Sequence, residues 1–194
     1  MLNLTFDMNC LIALENNEAD ARNLHRLISL HDSDQILISV PGIQASEKLK
    51  DGSFAHSFSE FQTRVGNLSS KPFEILKSPL YLDLAYLDWA ILGSDKGIEL
   101  ESNIHQVLFP HHYFLWKDQA EASGVDPNTV SSIGHDVWIK WRNRKCDTLA
   151  LWCHIHYEKD IFVTNDSNFH LRSKKSKLEA IGAKNIARQG EIIV

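Results

Sequence analysis

The sequence predicts an α/β fold built on a largely parallel sheet. Three observations lead there. Short apolar runs of strand character near residues 2–6, 36–40 and 161–164 alternate with stretches of helical period. The second of these runs, Ile-Leu-Ile-Ser-Val, is nearly continuous in apolar residues, as a strand covered on both faces must be. The 194 residues, 43% hydrophobic and 23% charged, suffice for one domain with a sizeable core and need no covalent staple.

Taken in order, residues 2–6 alternate apolar and polar side chains and stop at Asp7, the pattern of a short strand. Residues 8–14 are apolar-rich and read as helix. Residues 18–30 read as a second helix, with Leu24, Leu27 and Ile28 on one face. Residues 36–40 form the second strand, ended by Pro41-Gly42, and a helix carrying Glu47 is expected next. Phe54, Phe58, Phe61 and Val65 recur at helical spacing. That stripe suits core or, if exposed, a partner-binding face. Residues 73–76 read as a further strand, and residues 82–92 and 98–108 as helical patches. Gly124 and Asp126-Pro127 mark a loop before a helix on which Trp138 and Trp141 share a face. Asp147 is expected to open a buried helix over residues 148–155. Residues 161–164 are a strand ended by Asn165-Asp166. Residues 176–181 are a short helix closed by Gly182, and residues 185–187 and 192–194 are late apolar segments.

Composition excludes several classes. No apolar run approaches the roughly 20 residues of a membrane span, and the first ten residues lack the basic start of a secretory signal. Cys10, Cys146 and Cys153 form no CxxC pair, which suits free thiols in a cytoplasmic setting. The ten histidines form no HExxH pattern, and neither GxGxxG nor a P-loop is present. The five tryptophans suit packing or base stacking.

In a parallel sheet all strand C-termini share one edge, where open α/β sheets bind ligands. Asp7 and Asp166 end strands at that edge, Glu47 follows the second strand, and Asp147 precedes the late strand. Singly, Asp7 and Asp147 also suit helix caps, Asp166 an Asx turn, and Glu47 a solvated helix position. Jointly, four converging carboxylates call for a hard divalent cation, because like charges that close cannot all stay ionised. Mg²⁺ or Mn²⁺ held so can generate a nucleophilic water and clamp phosphoryl oxygens, chemistry suited to phosphodiester hydrolysis.

Four segments carry a resemblance to a known family. They are Leu4-Thr5-Phe6-Asp7-Met8-Asn9, Val40-Pro41 through Ala45-Ser46-Glu47, Cys146-Asp147-Thr148-Leu149, and Val163-Thr164-Asn165-Asp166-Ser167-Asn168-Phe169. Their order resembles the acidic motifs of PIN-domain nucleases, over residues 1–50 and 138–194. The resemblance implies a PIN-like three-layer α/β/α fold with a central sheet of about four to five strands. Residues 51–137 exceed the family's compact pattern and are read as a helical insertion within one domain spanning 1–194. The resemblance further implies a Mg²⁺- or Mn²⁺-dependent endoribonuclease, with Asp7, Glu47, Asp147 and Asp166 as metal ligands and Asn9, Thr164 and Asn165 as supporting groups. It includes the VapC-like toxins, and so implies an antitoxin partner and a homodimer beside an RNA substrate. The alternatives are a non-catalytic PIN-like module that binds RNA or protein, and a haloacid-dehalogenase-type phosphatase. The latter would show Asp-x-Asp where this chain has Asn9.

The net charge of −5 conceals an asymmetry. Residues 138–188 hold eleven Lys and Arg against five acids, a local balance of +6 that leaves −11 for the rest. Arg142, Arg144, Lys145, Arg172, Lys174 and Lys175 lie in this basic segment around Asp147 and Asp166, and are the residues expected to meet RNA phosphates.

Overall fold

Leu4 and Phe6 alternate with Thr5 along β1 (Leu2–Phe6), and all three are fully buried, so both faces of this strand are covered. The computed structural model describes residues 1–18, 21–47, 55–82, 84–128 and 136–193. Phe54, expected in the aromatic stripe, lies outside the described residues. Asp7 caps α1 (Met8–Glu15), and α2 (Ala21–Asp32) turns Leu24, Leu27 and Ile28 inward as its spacing requires. The chain then enters β2 (Ile36–Pro41), parallel to β1 with Ile38 opposite Leu4.

A helix carrying Glu47 was expected here, and the chain does otherwise. Residues Gly42–Ser46 form a 3₁₀ turn, and Glu47 ends it in extended backbone at φ −80°, ψ 153°. All five residues of the turn are buried, and a Cβ at Gly42 would stand 3.2 Å from the Leu76 carbonyl oxygen. A segment packed on every side has no solvent face for an amphipathic helix. The helical stripe resumes in α3 (Phe58–Gly66), where Phe58, Phe61 and Val65 are buried and Ser57 caps the start by accepting from Glu60 N–H.

Residues 51–137 are therefore not a purely helical insertion. They supply β3 (Glu74–Leu76), an edge strand of the central sheet, at the position where the sequence predicts a strand. They also form a two-stranded parallel ribbon, β4 (Ser78–Pro79) with β5 (Ala90–Ile91). Residues 82–92 were expected to be helical, but they hold only a 3₁₀ turn at Leu87–Trp89. Leu82, Leu87 and Leu92 point outward instead of forming an inward stripe, so no packed face sustains a helix there. The second expected patch is α4 (Asp95–Leu108), capped by Ser94. It is followed by α5 (Trp116–Ala122).

The long α6 (Asp136–His156) corrects another expectation. Asp147 lies in its middle and opens no helix. The segment contains neither Gly nor Pro, and Trp138, Trp141, Lys145, Leu149 and Trp152 recur every three or four residues on a buried face. The first turns are pinned by Trp141 stacked 5.2 Å from Trp138, with Trp116 edge-on to Trp138 at 4.8 Å. Trp138 and Trp141 are buried packing residues, with the partly buried Trp116 packed against them. The chain continues through β6 (Ile161–Val163), α7 (Ser167–His170), α8 (Arg172–Leu178) and β7 (Asn185–Ala187). A π-turn at Glu179–Ala183 joins α8 to β7 through Gly182 at φ +124°.

The sheet order is β3-β2-β1-β6-β7, and every neighbouring pair is parallel. One core packs α1, α2 and α3 on the face that presents Leu4, Phe6, Ile38 and Val163. The other packs α4, α6 and α8 on the face that presents Phe162 and Ile186. The result is the expected three-layer α/β/α arrangement. With all five strands parallel, Asp7, Gly42, Thr164 and Arg188 leave their strands at one edge. Among the described residues, no helix is long and apolar enough to cross a membrane.

Candidate functional site

Asp7 stands where β1 stops pairing. Its N–H donates to the Val163 carbonyl at 3.0 Å, the last link of the β1–β6 ladder. Its Oδ1 accepts from Met8 N–H at 2.8 Å, and its Oδ2 accepts from Thr164 Oγ1 at 2.7 Å and Asn9 Nδ2 at 2.6 Å. Burial pushes this carboxyl up to about 6. The bonds from Thr164 and Met8 oppose the rise, Asp166 adds to it, and Asn9 opposes it.

The three expected supporting residues form one network with Asp7. Thr164 Oγ1 accepts from Asn9 Nδ2 at 2.9 Å and from Asp166 N–H at 3.1 Å while donating to Asp7. Asn9 Oδ1 accepts from Asn165 N–H at 3.0 Å. A single buried hydroxyl therefore ties the C-terminal ends of β1 and β6 together and fixes both Asp7 and the Asp166 backbone. Asp166 caps α7 by accepting from Asn168 N–H at 2.8 Å. Capping and a place beside Asp7 coexist in both residues.

Glu47 and Asp147 complete the group. Burial pushes the Glu47 carboxyl well up, and the Asp7 and Asp147 charges push it further, against Arg142 and Arg64. Burial likewise raises Asp147 well above the carboxylate range, with Asp7 and Asp166 adding and Arg144 opposing. All four acids therefore lie within electrostatic reach of at least two others. Glu47 Oε1 is buried without a hydrogen-bond partner. The sequence reading missed Gln44, a fully buried amide whose Nε2 donates to the Phe6 carbonyl at 3.1 Å and approaches Asp7 Oδ1 at 3.4 Å. Its only signal was a polar residue inside a short apolar turn.

A divalent cation fits this donor chemistry. The four groups offer hard oxygens, repel one another as anions, and include an orphaned buried oxygen. Burial raises the Cys10 and Cys146 thiols, which favours their protonated form. Among the described residues, no three His, Cys, Asp or Glu side chains stand together as a metal-holding group. The carboxylates form an electrostatic cluster and not a closed cage.

The basic candidates divide. Lys145 is corrected: at 1% exposure it is ion-paired with the equally buried Glu101 and lies over the Phe114 and Tyr81 rings at 3.8 and 4.2 Å, so it cannot meet RNA. The helical period put it on the core face of α6. Arg144 donates to Gln119 Oε1 at 3.0 Å and lies in the field of Asp147. Arg142, half-buried, lines with Ser46, Leu84, Ala85 and Tyr86 a cavity of about 230 Å³ and feels the Glu47 charge. Lys174 donates to the Leu108 carbonyl at 2.6 Å and feels Asp166. Arg172 is exposed, and Lys175 pairs with Glu179 at 3.9 Å.

No family model matches the chain, and neither a curated protein nor a solved structure matches it.

Proposed function

We propose that this protein is a Mg²⁺- or Mn²⁺-dependent endoribonuclease of the PIN type. The observation that supports the reading is that Asp7 and Asp166, joined through Thr164 at the C-terminal edge of a parallel sheet, lie within electrostatic reach of Asp147, and Asp7 and Asp147 within reach of Glu47. Such a cluster is costly without a cation, and Mg²⁺ commonly keeps several waters while using few carboxylates directly. A bound divalent ion would supply a water of lowered pKa and neutralise charge on phosphoryl oxygens. The chain's own contribution is positional. Thr164 and Asn9 hold Asp7 in one orientation, the α7 start holds Asp166, and the continuous α6 carries Asp147 to the cluster. Arg142 and Arg144 place positive charge beside Glu47 and Asp147, where an RNA backbone would pass.

The decisive experiment incubates the protein with labelled RNAs in Mn²⁺, Mg²⁺ or EDTA, alongside Asp166→Asn. Cleavage that needs the metal and falls by about 100-fold or more in the variant supports the reading. Cleavage that survives both EDTA and the substitution overturns it. One observation favours the non-catalytic alternative: among the described residues, no three ligand side chains stand together. Absence of Mn²⁺ binding by calorimetry, with no cleavage of any RNA, would establish that alternative.

A further inference from the structure

Next to the acidic cluster, the turn after β7 encloses a second recess. We infer that it is a nucleobase pocket that selects guanine beside the phosphodiester addressed by the cluster, an inference that rests on the ribonuclease reading above. The recess holds about 200 Å³ and is lined by Asn23, Asn165, Arg188, Gln189, Gly190 and Glu191. That is smaller than drug-sized pockets of roughly 300–1,000 Å³ and on the scale of one base.

Its position ties it to the site. Asn165 is shared: its N–H donates to Asn9 Oδ1 at 3.0 Å, and its carbonyl accepts from Arg188 Nη1 at 3.2 Å. Asp166 is the next residue. Thr164 N–H donates to the Ala187 carbonyl at 3.1 Å, so the turn that forms the recess leaves the sheet beside the strand end that holds the acids.

Its chemistry favours a base over a phosphate. The Glu191 carboxylate in the wall repels an anion, and its Oε2 is occupied by Arg188 N–H at 2.9 Å. Gln189 is 4% exposed, and its Oε1 is buried without a hydrogen-bond partner. The Glu191 carboxylate gives this wall paired acceptor oxygens beside the Arg188 guanidinium. Guanine presents two adjacent donors, N1–H and the N2 amino group, on its Watson–Crick edge, a pair that adenine, cytosine and uracil all lack. The Arg188 guanidinium, anchored on the Asn165 carbonyl, offers a planar face for stacking. Gly190 keeps the pocket open: a Cβ there would lie 3.3 Å from Asn23 Nδ2.

Two measurements on the full chain test this. The first maps cleavage of a randomised RNA in Mn²⁺ by sequencing the ends, for wild type, Glu191→Gln and Asn23→Ala. Guanine is expected to be enriched at one position flanking the cut, and each variant to reduce that enrichment by about tenfold, the loss of one base contact. Cleavage of guanine-free RNAs should stay within about twofold of wild type, since neither residue touches the acids. Asn23 is exposed on α2, so its variant tests the pocket even if Glu191→Gln unfolds the turn. The second follows the Asn23 and Gln189 side-chain amide signals by ¹⁵N NMR during titration with guanosine, adenosine, cytidine and uridine monophosphates. Selective shifts with the guanosine nucleotide are expected. Unchanged base preference in both variants, or equal or absent shifts with all four nucleotides, overturns the pocket while metal-dependent cleavage stands. Selective shifts without cleavage of any RNA overturn the ribonuclease reading and leave the pocket.

Discussion

The Asp7 carboxyl makes the acidic cluster measurable through stability. Its folded value is about 6 against an ordinary 3.8. Between those values the folded chain holds a proton that the unfolded chain has lost, so stability falls as pH rises, the reverse of a salt-bridged carboxylate. From pH 5.0 to 7.5 the shift removes about 1.4 kcal/mol, one pKa unit's worth, because about one decade of proton binding above pH 5 differs between the two states. Buried His154 works oppositely: its folded value near 4 means that stability is lost as pH falls below its ordinary 6.5. The raw pH curve therefore mixes the two. The difference between wild type and Asp7→Asn isolates the aspartate. By urea denaturation in EDTA, wild type should gain about 1.4 kcal/mol on the variant as pH drops from 7.5 to 5.0. In millimolar Mn²⁺ the sign should reverse, because ligand carboxylates bind metal only when deprotonated. A difference independent of pH in EDTA would refute the burial argument. A trend unchanged by Mn²⁺ would refute the metal assignment.

Other expectations are as direct. Lys145→Met should cost about 3–5 kcal/mol by urea denaturation, because it strands the buried Glu101 charge, and adding Glu101→Leu should recover much of that loss. A single and double variant of equal stability would show that the unpaired Glu101 carboxylate costs nothing. His154 joins Thr5 Oγ1 and the Ala183 carbonyl, both at 2.9 Å, so His154→Leu should destabilise by about 1–3 kcal/mol at pH 7.5. That gap should narrow toward pH 5, where wild type pays to keep the ring neutral, and a constant gap would contradict it. Gly182→Ala should lower stability by about 1–3 kcal/mol in the same assay, since φ is +124° and a Cβ would meet Ile155 Cγ2 at 3.2 Å.

Much of the fold was legible because the strands speak in apolar runs. Residues 36–40 and 161–164 read as buried strands and residues 73–76 as a further one, and β2, β6 and β3 stand there. Errors came where a short apolar stretch was given a helical period that packing did not honour. The turn at Gly42–Ser46 is buried all round, and Leu82, Leu87 and Leu92 face outward. The Asp147 error ran the other way. An aspartate before an apolar run looked like a cap, but the preceding tryptophans already belonged to the same helix. Of the candidate site, Asp7, Asp166 and the Asn9–Thr164 pair were legible as residue types at strand ends. Gln44 and the Asn23–Gln189 recess were not, since isolated amides carry no sequence period.

What the sequence alone determined is the alternation of the main strands with helical segments, and so the parallel sheet whose C-terminal edge collects residues from distant segments. Apolar periodicity is a local property, written in neighbouring residues. What only the tertiary structure decided is which charges face that edge and which are spent inside. Lys145 and Asp147 stand two residues apart on one helix, yet Lys145 is locked under aromatic rings against Glu101 while Asp147 feels Asp7 and Asp166. Each residue advances about 100° around a helix, so two positions along the chain separate core from cleft. Only the packing of α6 on α4 and the sheet decides which is which.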